Sequence, residues 1–165
     1  MRIFLLIAVA AAGLGLSQLP ARAQNESGGA DAGTCTLKDH VYTCSGAAFQ
    51  AALAGAKTVV VESHNSDGVA RDQLTELLTK KLGKTVAAEG SQGDLIFLLI
   101  PIDPSGVMNG IGDADLGTLR VYSAAADGSR GHLLWAETFS GPQDMVWPAV
   151  VHGLILQFQA RFHIK

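Results

Sequence analysis

The chain has little excess charge and no strongly basic segment. Its 165 residues carry 12 Lys and Arg against 15 Asp and Glu, which gives a formal net charge of −3. Nucleic-acid binding requires a basic patch, and attraction to anionic lipid requires a polybasic segment. Because the sequence has neither feature, we predict that the partners include neither nucleic acid nor an anionic membrane surface.

The sequence also lacks the short motifs of common enzyme classes. It contains no Gly-x-Ser-x-Gly elbow, no His-Glu-x-x-His helix and no phosphate-binding glycine loop. We therefore predict no cofactor, and we favour a protein that does not catalyse a reaction.

Cysteine is scarce, since only Cys35 and Cys44 occur. Two thiols nine positions apart with one His between them fit no strong zinc pattern, although a metal site is the alternative. In an exported chain a disulfide is the simpler interpretation. A two-residue turn at Asp39-His40 would pair Cys35 with Cys44 at a non-hydrogen-bonded position, where side chains approach most closely. We predict a disulfide-linked N-terminal hairpin with His40 exposed at its tip.

The first 23 residues have the pattern of a secretory signal peptide. Arg2 precedes an apolar core, Ile3–Leu16, and the small residues of Ala21-Arg22-Ala23 follow it. A core of about 14 residues is roughly 21 Å long as a helix, which is too short for a bilayer of ~30 Å. We predict cleavage after Ala23, a periplasmic or secreted location and no permanent membrane anchor. Position 24 is Gln, so bacterial lipidation at a Cys there has no acceptor.

The remaining chain has the size of one domain. Residues 24–34 are rich in Gly and Ala with little to bury, which predicts a flexible leader. Residues 35–165 are long enough to bury a substantial core, and we predict that they form a single domain.

The most prominent stretch of this domain is Leu95–Ile100, six apolar residues between Asp94 and Pro101. Such a run predicts a strand that is covered on both faces, and it is too short for a helix. Around it the patterns predict a hairpin, a short helix capped by Ser45, a strand–helix–strand unit, a second hairpin and a closing helix that starts within Asp144–Pro148. This order predicts an α+β two-layer sandwich, with a mixed or antiparallel sheet of about five strands and helices on one side. The sequence leaves three candidates for the element that covers the second face of this central strand: the N-terminal hairpin, the short helix and a partner.

Asp127-Gly128 predicts a two-residue turn in the second hairpin. On the face away from the core, that turn places Arg120 beside Trp135 and Thr118 beside Glu137, as a cation–π or ion-pair lattice. The predicted pairs over the core are Val121 with Leu134 and Leu119 with Ala136. A slip of one residue would reverse the two faces.

His64 is the histidine with the most suggestive surroundings, because it follows a predicted strand and has Glu62 and Asp67 nearby. A histidine with two carboxylates can act as a general base or a metal ligand, which would suit a hydrolase or a metal-dependent enzyme. Helix capping explains Asn65, Ser66 and Asp67 without any activity, and we prefer that interpretation.

The longest irregular stretch is 103–116. Asp103, Asp113 and Asp115 could hold Ca²⁺ together with backbone carbonyls. However, Ala114 occupies the position at which a calcium nonapeptide repeat requires an Asp, and only one copy is present. A flexible Gly/Asp loop is the default, and the same segment is a hypothetical lid over a small ligand.

Four segments share an order and hydrophobic pattern with known domains: Thr58–Ser63, Gly93–Leu99, Gly117–Tyr122 and Leu134–Glu137. Between residues 57 and 162 the chain resembles small α/β domains of bacterial periplasmic proteins and lipoproteins, and distantly the N-terminal domain of the Tol translocation protein TolB. The resemblance implies a binding or assembly module whose partners are other envelope proteins. It implies no active-site residue.

Overall fold

The computed structural model of the chain describes residues 35–38, 41–64, 68–102 and 114–165. The predicted signal peptide (1–23), the predicted leader (24–34) and His40 lie outside these ranges.

The described residues form seven strands and three helices. In chain order they are β1 (Cys35–Lys38), β2 (Val41–Cys44), α1 (Gly46–Gly55), β3 (Thr58–Ser63), α2 (Gly68–Glu76), β4 (Thr85–Ala87), β5 (Leu95–Pro101), β6 (Ala114–Ala124), β7 (Arg130–Gly141) and α3 (Trp147–Phe162). A π-helical turn, Leu77–Lys81, continues α2. Two helix starts are confirmed: the Ser45 side chain caps α1, and Pro148 lies in the first turn of α3, where its missing N–H costs no hydrogen bond.

Five strands form one mixed sheet in the order β4-β3-β5-β6-β7. β3 runs parallel to both β4 and β5, whereas β6 and β7 continue as an antiparallel pair of neighbours beyond β5. The helices contribute to one shared core on one face of this sheet. The predicted α+β fold with a mixed five-stranded sheet is therefore confirmed.

β5 occupies the centre of the sheet, and its residues Leu95 to Leu99 are all buried. Alternate residues point to opposite faces, so Leu95, Phe97 and Leu99 join the core beneath the helices. Ile96 and Leu98 point to the other face, which we call the second face, and are 1% and 4% exposed. The prediction of a strand buried on both sides is confirmed.

An aromatic cluster joins α1 and α3 to the sheet. The Phe49 ring of α1 lies 5.7 Å from Trp135, 5.9 Å from Phe158 and 5.0 Å from Phe162. Phe158 also meets Phe97 of β5 edge-on at 6.2 Å. Offset and edge-to-face contacts of this kind add stability beyond the burial of apolar area.

The N-terminal hairpin has the predicted register. β1 and β2 pair Cys35 with Cys44, Thr36 with Thr43, and onward to the turn, and the two cysteines form a disulfide. The hairpin packs near β7, and the Tyr42 ring lies over the Arg120 guanidinium at 5.2 Å. Arg120 pairs with Leu98, so the hairpin contributes cover on the second face. This finding answers in part what covers the central strand.

The register predicted for β6 and β7 is wrong by one residue over most of its length. Arg120 pairs with Ala136 and not with Trp135, while Leu119 pairs with Glu137. Trp135 and Glu137 consequently lie on the helix-facing side of the sheet, the reverse of the prediction.

The cause is the local geometry of the hairpin. The Ala125 N–H donates to the Ser129 carbonyl at 2.8 Å, so the turn has the three residues 126–128, and Gly128 has a φ of +80°. Two irregularities in β7, between Arg130 and Leu133 and between Leu133 and Trp135, then add one residue each. The longer turn shifts the pairing by one residue in one direction and the two extra residues shift it by two in the other, which leaves the net error of one residue. Bulges of this kind leave no clear signature in the alternation of side chains.

Candidate functional site

The carboxyl ends of two parallel neighbours, β3 and β5, lie side by side at the same end of their strands. The backbone N–H of His64, just after β3, donates to the carbonyl of Leu99 at 3.0 Å. Next to it, the N–H of Ile102 donates to Leu116 of β6 at 3.0 Å. We call this the carboxyl edge, and in open α/β sheets ligand sites commonly form at such edges. The His64 side chain is exposed here.

Glu62, which sequence patterns associate with His64, is engaged elsewhere. Its Oε2 accepts hydrogen bonds from Arg130 Nη2 at 2.7 Å and Arg130 Nε at 2.8 Å. The Arg130 guanidinium also lies 5.9 Å from the centre of the Tyr122 ring. Glu62 pairs with Leu98 and so belongs to the second face, where this ion pair adds to the cover of the apolar side chains. Asp67 lies outside the described residues.

Of the three aspartates considered for Ca²⁺, only Asp115 falls within the described residues. Asp115 Oδ1 accepts a hydrogen bond of 2.6 Å from Ser140 Oγ, its direct neighbour on β7. Asp103 and Asp113 lie outside the description. Among the described residues there is no group of three or more His, Cys, Asp or Glu side chains placed to hold a metal ion.

Sequence reasoning missed a polar junction at the opposite end of these two strands, where β3 and β5 begin. Asp94 Oδ2 accepts the backbone N–H groups of Thr58 at 2.9 Å and Lys57 at 2.7 Å. These two N–H groups hold the pKa of the Asp94 carboxyl below its ordinary value, because they stabilise the charged form. The junction ties the start of β3 to the start of β5. The only available signal was an aspartate directly before the apolar run.

A shallow depression of about 350 Å³ lies beside Asp94. Its lining residues are Thr58, Gln92, Gly93, Asp94 and Ala124–Ala126. Gln92 Nε2 donates to the carbonyl of Ala126 at 2.7 Å and so connects this loop to the turn between β6 and β7. Asp94 and Gln92 already form hydrogen bonds within the protein, so we interpret the depression as a structural junction.

A smaller groove of about 180 Å³ runs between the π-helical turn and α3. Leu77 and Ile155 supply its apolar lining. The polar lining residues are Gln73, Glu76, Lys80, Lys81 and Gln159. Lys80 pairs with Glu76 at 2.8 Å, one turn away along the helix.

Comparison with models of protein families found no match for this chain, and comparison with curated proteins found none either. The geometry therefore stands as the basis for a functional proposal. It gives one confirmed covalent site, the Cys35–Cys44 disulfide, and one exposed histidine at the carboxyl edge.

Proposed function

We propose that this chain is an exported protein of the bacterial envelope, periplasmic or secreted, that acts by binding other envelope proteins. The observation that carries the proposal is the Cys35–Cys44 disulfide. Structural disulfides persist in oxidising compartments and are rare in the cytosol. The signal-peptide pattern of residues 1–23 supports the same compartment independently.

Exposed apolar side chains on and beside α3 support a binding role. Leu156 is 52% exposed on the outer side of α3, and Val146, directly before the helix, is 68% exposed. Ile155, the neighbour of Leu156, lines the groove beside α2. Contiguous apolar surface marks protein interaction sites, and we propose that such a surface is centred on Leu156 and the adjacent groove. Within the described residues no helix is long and apolar enough to cross a membrane.

The location is tested by fractionating cells that express the full chain and measuring intact mass without reductant. We expect periplasmic or secreted protein with the mass of residues 24–165 less two hydrogens. Full-length protein that stays in the cytoplasm, or two free thiols, would contradict the proposal.

The binding role is tested by crosslinking in envelope preparations with the parent, with Leu156→Glu and with the control Ala51→Glu. Both substitutions add one negative charge at an exposed helix position, but Ala51 lies on α1. We expect a reproducible crosslinked partner that Leu156→Glu weakens and Ala51→Glu preserves. Recovery of no partner with the parent, or equal loss with both variants, would count against α3 as the binding surface.

The second candidate is a hydrolase or metal-dependent enzyme, and the position of His64 at the carboxyl edge favours it. Its test is turnover of ester, phosphoester and peptide substrates, with and without added Zn²⁺, by the parent and by His64→Ala. Activity that His64→Ala leaves unchanged would exclude this use of the histidine.

A further inference from the structure

Three alternate residues of β7 lie along a stripe of α3 whose members are spaced by one helical turn. The β7 residues are Trp135, Glu137 and Phe139, and the α3 residues are Gly153, Gln157 and Arg161. Phe139 packs so closely on Gly153 that a Cβ there would lie 2.3 Å from the ring. At the other end, Arg161 approaches both Glu137 and Trp135. Gln157 lies one turn from each end of the stripe.

Glu137 is a carboxylate in a poor environment for charge. Its side chain is 10% exposed, and Oε1 lies 3.9 Å from Arg161 Nη2, which is long for a hydrogen bond. Its Oε2 is buried without a well-aligned hydrogen bond, and the same holds for Oε1 of Gln157 and for Nε1 of Trp135, the nearby donor. Burial raises the pKa of Glu137, and the Arg161 guanidinium and the Trp135 N–H oppose that rise only in part. Protonation would convert one of these unpaired acceptors into a donor.

Few charges face Glu137 from the elements packed around it. The ionisable groups of α3 are Arg161 and His152, and His152 is exposed more than two turns before Arg161. His163 and Lys165 follow the helix and are exposed. α1 contains no ionisable side chain, and β6 presents Leu119 opposite Glu137. Tyr42 of the N-terminal hairpin lies over Arg120, which belongs to the second face and not to the face of Glu137. Arg161 is therefore the group whose position depends on the charge of Glu137.

We propose that Glu137 is a proton-operated latch on the last turn of α3. When it is ionised, it holds Arg161 against the edge of β7 and over the Trp135 ring, which lies 5.9 Å from the guanidinium carbon. When it is protonated, it no longer attracts the guanidinium, and the Arg161 side chain, already 62% exposed, moves into solvent. The last turn of α3 then loses its ion pair with β7, while Phe162 stays packed on the Trp135 ring at 4.9 Å.

Two effects of acid have opposite signs, which makes the latch recognisable. A carboxyl whose folded-state pKa is raised above its ordinary value of 4.5 stabilises the fold fully below that value. This contribution is lost as pH rises through the folded-state pKa. Protonation of Glu137 thus favours global folding while it loosens the last turn of α3 locally. This regulation is independent of the proposed binding partner.

The test is a pH titration of the full protein by NMR, read by side-chain carboxyl shifts and by hydrogen exchange of backbone amides 159–162. We expect Glu137 to titrate above the exposed carboxyls. As it does so, the protection factors of those amides should fall about two- to fivefold, as for loss of one partly exposed ion pair. Glu137→Gln should show the low protection already at pH 7, without the pH step.

Glu89→Gln is the matched control, because Glu89 is exposed and lies 3.7 Å from Arg71 in a comparable pair. The Glu89→Gln variant should show the same fall in the protection factors of amides 159–162 with acid as the parent. Arg161→Gln should abolish the step and raise the titration of Glu137 further. The latch is refuted if Glu137 titrates at or below its ordinary value of 4.5, or if the parent and Glu137→Gln show the same protection at every pH.

Discussion

The packing of α3 on β7 makes Gly153→Ala the most informative single substitution. A Cβ built at Gly153 would lie 2.3 Å from Cε2, 2.6 Å from Cδ2 and 2.7 Å from Cζ of Phe139. Carbon atoms in contact normally lie about 3.5–4.0 Å apart, so the ring or the helix must move by more than about 1 Å. The close approach of helix and strand therefore depends on the absence of a side chain at this position.

The expected cost follows from two opposing effects. Overpacking of this kind costs about 3 kcal/mol, the upper part of the usual range, because three atoms of a rigid ring are involved. Ala in a helix interior returns about 1 kcal/mol relative to Gly. We expect a net loss of about 2 kcal/mol in the free energy of unfolding, or roughly 8 °C in Tm for a domain of this size.

The assay is urea unfolding followed by circular dichroism, with Gly55→Ala as the matched control. Gly55 is also helical, at the end of α1, and a Cβ there meets nothing within 4 Å. We expect Gly55→Ala to leave the free energy of unfolding unchanged or to raise it by up to about 1 kcal/mol. Adding Phe139→Ala to Gly153→Ala should remove the clash, so the two losses should be less than additive.

The reasoning is wrong if Gly153→Ala is as stable as the parent or more stable. It is also wrong if the losses from Gly153→Ala and Phe139→Ala are simply additive, because the proposed clash joins these two residues alone. An equal loss with Gly55→Ala would show that general helix effects, and not packing, decide the result.

Three further predictions concern polar and covalent links. Replacing both cysteines, Cys35→Ser with Cys44→Ser, should lower the free energy of unfolding by about 2.7 kcal/mol in the chain-entropy treatment. Urea unfolding measures this loss. An unchanged urea midpoint would show that the hairpin opens independently of the rest of the domain. Arg130→Ala should lower the free energy of unfolding by about 0.5–1 kcal/mol at low salt, because its ion pair with Glu62 is partly exposed. The loss should be smaller at about 1 M NaCl, where salt screens the pair. The double variant Glu62→Arg with Arg130→Glu, which exchanges the two charges, should recover part of the loss. Because the folded-state pKa of Asp94 is lowered, its contribution is present above the ordinary value of 3.8 and is lost as pH falls through the folded value. Asp94→Asn should therefore lower stability at pH 7 and flatten its acid dependence; parallel curves for parent and variant would contradict this.

Local patterns were sufficient for several elements of the fold. The six apolar residues before Pro101 identified β5, because a short uniform run leaves no polar face for water. The spacing of Cys35 and Cys44 around a short turn predicted the hairpin register, because a strand pair extends residue by residue from its turn. Pro148 located the start of α3 for an equally local reason.

The candidate site was less accessible to sequence reasoning. The spacing of Glu62 and His64 suggested that they act together, yet Glu62 pairs with Arg130, a residue 68 positions away. Asp94 escaped notice because its partners are backbone N–H groups, which every residue other than proline carries. His64 alone was correctly associated with the end of a strand.

By itself the sequence determined the class of fold, the central strand and the disulfide hairpin, since each depends on residues close together in the chain. Only the tertiary structure decided the strand order, the two irregularities in β7 that shift its register against β6, and the burial of Glu137. The physical reason is that a single extra residue in a strand exchanges its faces without altering its composition. The same exchange placed Glu137 under α3, where its charge acts on Arg161.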